Sequence, residues 1–127
     1  MKTIIVTDKA PAAIGPYAQA VETGNMIFIS GQLPVDPKNG QMAPPDVAAQ
    51  TDAVLRNILG VMAAKGLPLD NIVKTTVYMT DLGQFQAMNE VYAKYFHKHP
   101  PARATVEVKA LPKGALVEIE AIAEKEI

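Results

Sequence analysis

The sequence predicts an α+β domain: one β-sheet with two helices packed on one of its faces. Two observations carry this. Short β-rich runs and two longer stretches with apolar residues at helical spacing follow one another as β-β-α-β-α-β-β, with a further strand at 2–6. At 127 residues, the chain has room for one core of that kind and not for two, so a single domain over residues 1–127 is expected.

Residues 18–23 (Ala-Gln-Ala-Val-Glu-Thr) and 26–30 (Met-Ile-Phe-Ile-Ser) flank Gly24-Asn25, a two-residue turn with glycine first, which predicts a β-hairpin. From Pro34 to Pro45 four prolines and Asn39-Gly40 mark a turn-rich loop, either plain surface or the rim of a site. Asp46 is placed to N-cap a helix whose apolar stripe is Val47, Thr51, Val54, Leu55, Ile58, Leu59 and Met62. Lys65-Gly66 supplies its cationic last turn and C-cap. Gly60 within it disfavours helix by up to about 1 kcal/mol relative to alanine, and close packing against the sheet is the expected reason for it. Residues 72–79 are rich in β-branched side chains and read as a strand. Asp81 is expected to cap the second helix, with Phe85, Met88, Tyr92 and Phe96 as its apolar stripe and Pro100-Pro101 as its stop. Strands at 103–108 and 116–123, joined through Leu111-Pro112-Lys113-Gly114, complete the order. Two helices cover one sheet face, and the other has no local cover.

Composition narrows the function. Nearly half the residues are apolar (49%) and 20% are charged, rather greasy for a small monomer, so part of this surface is expected to meet another subunit. A formal net charge of −1 with no basic run offers nothing to a phosphate backbone, and nucleic acid is not expected as a partner. The absence of cysteine removes disulfides, thiolate nucleophiles and cysteine metal sites. Only three consecutive aliphatic residues (Ile4-Ile5-Val6) stand near the start, too few for a signal-peptide core or a membrane span, so a cytoplasmic protein is expected. His97-Lys98-His99 lacks the company a metal site needs and is read as complementing the helix C-terminus. Neither a phosphate-binding loop nor a dinucleotide fingerprint occurs.

The chemistry-bearing residues sit on the last two strands. Arg103 is one of two arginines, and alternation sets Arg103, Thr105 and Glu107 on one face. A planar guanidinium grips a carboxylate through two parallel hydrogen bonds, but Arg103 is also open to a plain edge position or an ion pair with Glu118 or Glu120. Glu118 and Glu120 share a face with Leu116 and Ile122. A carboxylate against apolar walls can serve as a general acid or base, while a solvated edge is the alternative. Ser30-Gly31 ends a hairpin strand where glycine permits close approach to a ligand, and Tyr17 follows Gly15-Pro16 with a phenol suited to a small planar molecule.

Five segments resemble the reactive-intermediate deaminase (Rid, YjgF/L-PSP) family from end to end. They are Ala12-Ala13-Ile14-Gly15-Pro16-Tyr17, Ile29-Ser30-Gly31-Gln32-Leu33-Pro34, Val73-Lys74-Thr75-Thr76-Val77-Tyr78, residues 101–108 (Pro-Ala-Arg-Ala-Thr-Val-Glu-Val), and Leu111-Pro112-Lys113-Gly114 with residues 117–123 (Val-Glu-Ile-Glu-Ala-Ile-Ala). The resemblance implies a chorismate-mutase-like fold with a mixed six-stranded sheet, assembled as a homotrimer with a ligand cleft at each subunit junction. It implies hydrolysis of short 2-imino or 2-enamino acids, such as 2-iminobutanoate and 2-iminopropanoate, to 2-oxo acids and ammonia, without metal or cofactor. Carried over residue by residue, Arg103 binds the substrate carboxylate and Glu118 positions and activates the attacking water. Backbone groups of Gly31 and Thr105 fix the imine end, and Tyr17, Ser30 and Asn89 line the cleft. Thr105 stands where relatives often carry cysteine. Arg103 and Glu118 are expected from one subunit, with Tyr17 and Asn89 from its neighbour. Members have also been described as single-strand ribonucleases, translation inhibitors, or chaperone-like or regulatory binding proteins, which keeps a non-catalytic reading open.

Overall fold

A computed structural model describes residues 1–126. The strands are β1 (Thr3–Ile5), β2 (Ala20–Thr23), β3 (Met26–Gln32), β4 (Ile72–Met79), β5 (Ala102–Glu107) and β6 (Val117–Glu124), and the helices are α1 (Val47–Ala63) and α2 (Phe85–Tyr95). They form an α+β arrangement around one mixed sheet, ordered β1-β2-β3-β6-β4-β5. Every neighbouring pair is antiparallel except β4–β5, which is parallel, as expected for strands joined by a crossover helix.

The predicted hairpin forms with Thr23 opposite Met26, Gly24 taking a φ of 56° that the first turn position demands. β3 runs on to Gln32. Ile29 pairs with Ala121 but Gln32 with Ile119, so one extra residue is accommodated at Ser30-Gly31, a bulge in the antiparallel β3–β6 ladder.

Asp46 caps α1 by accepting a hydrogen bond from Ala49 N at 2.8 Å. At the other end Leu67 N donates to Met62 O and Gly66 N to Ala63 O, with Gly66 left-handed at φ 67°, a Schellman ending. Lys65 turns aside to pair with Glu22 at 2.8 Å. Several expectations need correction. Leu59 is 40% exposed, whereas Gln50, Asn57 and Val61 are buried, because the helix face turned towards the 34–45 loop is sealed by amides. Gly60 does pack closely, but against the N-terminal segment and not the sheet: a Cβ there would collide with the carbonyl oxygen of Lys9. Asp81 caps not α2 but a short 3-10 turn, Leu82–Gln84, that leads into it. Phe85 is 38% exposed, so the buried residues of α2 are Met88, Val91 and Tyr92, continued by Phe96 just beyond its end. His97 and His99 lie past α2, and the basic residue in its last turn is Lys94.

Ile27, Leu55, Ile58, Met62, Met79, Met88 and Ile119 are fully buried between the helices and the sheet. Strict alternation along β6 sends Val117, Ile119, Ala121 and Ala123 into this core and Glu118, Glu120 and Ile122 to the opposite face. There the row Ile4, Val21, Phe28 and Ile122, aligned by register across four strands, lies outside any cover from the described residues; Ile4 is 57% and Phe28 45% exposed. No helix among the described residues is long and apolar enough to cross a membrane.

Candidate active site

The seven residues singled out by sequence fall into two groups on opposite faces of the sheet. Arg103 pairs with Thr75 across the parallel β4–β5 ladder, and Thr75 is completely buried beneath α2, so both side chains project to the helix-covered face. Glu118 pairs with Tyr78 on the open face of β6, two strands in from the edge. Adjacent strands stand about 4.8 Å apart. The guanidinium and the carboxylate of one chain are thus held apart by face as well as by strand.

The Arg103 group is tightly built. Its Cζ lies 4.7 Å from the ring centroid of Tyr92 and 5.4 Å from that of Phe85, a two-ring cation–π seat. Asn89, one helical turn from Phe85, accepts a 2.7 Å hydrogen bond from Arg103 Nη1. Tyr92 is itself anchored by a 2.7 Å hydrogen bond between its hydroxyl and Thr75 Oγ1. Burial raises the pKa of that phenol, with the Thr75 bond and the Arg103 charge pulling the other way. Neither Glu118 nor Glu120 pairs with Arg103, and no carboxylate among the described residues lies within ion-pair reach of it. A guanidinium held by π-faces and a neutral amide keeps donors free for an incoming anion. Thr105 projects to the same face with a buried hydroxyl that has no hydrogen-bond partner among the described residues. β5 is a sheet edge, which leaves one line of its backbone groups unpaired.

The second group surrounds a cleft of about 880 Å³ lined by Tyr17, Ser30, Gly31, Leu33, Glu118 and Glu120, among others. Its walls explain the Ser30-Gly31 bulge. A Cβ on Gly31 would collide with Glu118 Oε2 and sit 2.8 Å from Glu118 Cδ, so what the glycine lets approach its backbone is this chain's own carboxylate. Ser30 Oγ donates to Ala18 O at 2.6 Å and Ser30 N to Gln19 O at 3.0 Å, tying the segment that carries Tyr17 to β3. Burial, and then the neighbouring Glu120 charge, raise the pKa of Glu118 above the ordinary carboxylate value.

Three buried amides missed by the sequence reading shape the cleft's surroundings. Gln19 accepts from Thr7 N at 2.9 Å and donates to the carbonyls of Thr7, Ala10 and Pro11. Asn57 donates to the Leu33 and Val35 carbonyls, both at 2.9 Å. Gln50 accepts from Leu116 N at 2.8 Å. The available signal was a polar residue where the helical period calls for an apolar one, at Gln50 and Asn57. Among the described residues, no cluster of three or more His, Cys, Asp or Glu side chains is gathered that could hold a metal ion.

The chain thus carries a bulged sheet, an arginine without a carboxylate partner among the described residues at its parallel edge and a glutamate seated on glycine, and comparison with known proteins says which family shares this architecture. Residues 7–125 match the Endoribonuclease L-PSP family. The chain is 52% identical over 126 residues to a RutC family protein of Pyrococcus horikoshii, covering 99% of this chain and 100% of that one. It is 51% identical to the 2-iminobutanoate/2-iminopropanoate deaminase of Escherichia coli, covering 97% and 98% of the two chains. The crystal structure of E. coli TdcF with bound serine superposes with a TM-score of 0.91 at 46% identity, covering 96% of this chain and 98% of that one. The chain belongs to the L-PSP, or Rid, family.

Proposed function

We propose that this protein hydrolyses short 2-imino and 2-enamino acids, of the 2-iminobutanoate and 2-iminopropanoate class, to 2-oxo acids and ammonia. The observation that carries the reading is the free guanidinium of Arg103, stacked on two rings and without a carboxylate partner among the described residues. A relative named as a deaminase of these two substrates and another crystallised with bound serine support it.

Water adds to the imine carbon, already electrophilic once the nitrogen is protonated, while Glu118 takes the proton that water loses. The proton held by Glu118 then passes to the nitrogen of the tetrahedral 2-amino-2-hydroxy acid, the C–N bond breaks as the hydroxyl gives up its proton to the freed Glu118 carboxylate, and that proton leaves with the ammonia as ammonium, so the 2-oxo acid remains. Arg103 holds the carboxylate throughout. Backbone groups of Gly31 at the β3 bulge and of Thr105 on the β5 edge orient the imine end, and Tyr17 closes over it. Most of the rate gain comes from orientation, which Asn89, Tyr92 and Gly31 secure by fixing the two charged groups beforehand.

Because one chain separates Arg103 from Glu118, the complete site is assembled between subunits of a homotrimer: Arg103, Asn89 and Thr105 come from one chain and Glu118, Tyr17, Ser30 and Gly31 from the next. This division replaces the one expected from sequence, for Asn89 is bonded to Arg103 of its own chain. A cyclic trimer forms such heterologous junctions and covers the apolar open face in the same act. The assay is release of 2-oxobutanoate from 2-iminobutanoate generated in situ by a threonine dehydratase. Acceleration by the wild type and its loss in Glu118→Gln, with kcat depressed far more than KM, is the expected outcome. No acceleration over buffer would leave the cleft a binding site without chemistry.

A further inference from the structure

Glu120 has no part in the reaction just described, yet it lies beside the residue that does the chemistry. It is two residues from Glu118 on the same face of β6, about 7 Å along the strand. Tyr78 stands directly opposite Glu118 in the β4–β6 ladder, but its hydroxyl donates diagonally, to Glu120 Oε2 at 3.0 Å. Among the described residues Glu118 has neither a hydrogen bond nor an ion pair; its carboxylate rests on Gly31. Of two adjacent carboxylates, one is tied down and the other is left free.

We propose that Tyr78 and Glu120 form a positioning pair for Glu118, the phenol fixing a negative charge beside it so that Glu118 alone exchanges protons with the attacking water. The proposal rests on the role given to Glu118 above. Two neighbouring carboxylates without such a tie share a proton and exchange roles, so neither is reliably the base. A phenol donating to one of them occupies that carboxylate as an acceptor, fixes its position and breaks that symmetry. Burial, followed by the bond to Glu120, raises the pKa of Tyr78, so it remains a protonated donor through neutral pH. The raised pKa of Glu118 agrees in sign, with the Glu120 charge as its second cause after burial. Other titratable groups face the same cleft: Tyr17 from the 11–19 segment, Asp36 from the proline-rich loop and Lys113 from the turn before β6. Lys74 of β4 flanks Glu120 on its far side. In the proposed trimer Arg103 of the adjoining subunit faces Glu118 as well. Of these, Glu120 shares its strand and face and is locked in place by Tyr78.

The test is a carboxyl-carbon NMR titration of the intact, assembled protein, with Glu118 assigned through Glu118→Gln. Wild type is compared with Glu120→Gln, Tyr78→Phe and the double variant, and kcat/KM is followed against pH in parallel. In Glu120→Gln the Glu118 midpoint moves down, because the neighbouring charge is gone. In Tyr78→Phe it moves down by less, because Glu120 without its donor is no longer held in place beside Glu118. In the double variant it stays where Glu120→Gln put it, and the acid limb of kcat/KM follows each step. An unmoved midpoint in Glu120→Gln overturns the proposal, and so does a Tyr78→Phe shift that persists in the Glu120→Gln background. The titration needs no turnover, so shifts without imine hydrolysis would sink the deaminase reading alone, and hydrolysis without shifts would sink the pair alone.

Discussion

Arg103 and Glu118 are both charged side chains on strands of one sheet, but their surroundings differ in kind. Arg103 is gripped by its own chain through Tyr92, Phe85 and Asn89, an arrangement that fixes its direction while leaving its charge uncompensated. Glu118 is placed by the removal of obstacles: a glycine and a bulge make room for it, and no described side chain bonds to it. In the proposed mechanism the permanently charged cation can be held tightly without losing function, because its task is to bind. A group that must gain and lose a proton is better left free of partners that favour one protonation state.

That contrast can be broken from either side. The largest effect is expected from Arg103→Lys, which keeps the charge but loses the fork and the stacking plane. kcat/KM for 2-iminobutanoate should fall about a hundredfold or more, the scale on which misplacing a substrate by an ångström is felt, with an unchanged circular dichroism spectrum. Near-wild-type turnover would remove the carboxylate clamp. Next comes Gly31→Ala. Its methyl displaces a flexible carboxylate rather than backbone, so the fold should survive while kcat drops roughly tenfold or more through the misplaced base. Thermal melting within a few degrees of wild type together with full activity would show that the seat of Glu118 does not matter. A smaller loss is expected from Asn89→Ala. A hydrogen bond to a half-exposed charged group contributes on the order of 1 kcal/mol, so KM should rise roughly fivefold with kcat nearly intact. A kcat effect without a KM effect would move Asn89 from holding the clamp to the chemistry.

Much of this was legible beforehand. The hairpin at Gly24-Asn25, the Asp46 cap and the alternation that sends Glu118 and Glu120 away from the core are local properties of the chain, and the structure has them where the sequence put them. What escaped was set by contacts distant in sequence. Placing β6 between β3 and β4, with β5 alone at a parallel edge, is what parts Arg103 from Glu118, and no local pattern fixes strand order. Leu59 and Asn57 exchanged their expected environments because the Leu33 and Val35 carbonyls needed donors, a demand created by a loop more than twenty residues away. Likewise a glycine at position 31 signals room for a close neighbour without saying which, and only the β3–β6 register shows that Glu118 fills that room.

The central claim is that each site takes Arg103 from one subunit and Glu118 from the next, and mixed assemblies test it most directly. Arg103→Ala and Glu118→Gln, each inactive alone, are co-expressed with different tags so that mass spectrometry can confirm mixed trimers. Random assortment then rebuilds roughly a quarter of the sites, a consequence of cyclic symmetry alone. Arg103→Ala co-expressed with a weakened Asn89 variant, two changes in the same half, should recover nothing beyond what the Asn89 variant contributes by itself. Recovery near a quarter of wild-type activity in the first mixture, and nothing beyond the Asn89 variant's own contribution in the second, is the predicted result. Confirmed mixed trimers of Arg103→Ala and Glu118→Gln that stay at background would place both residues in one chain's site and contradict the account.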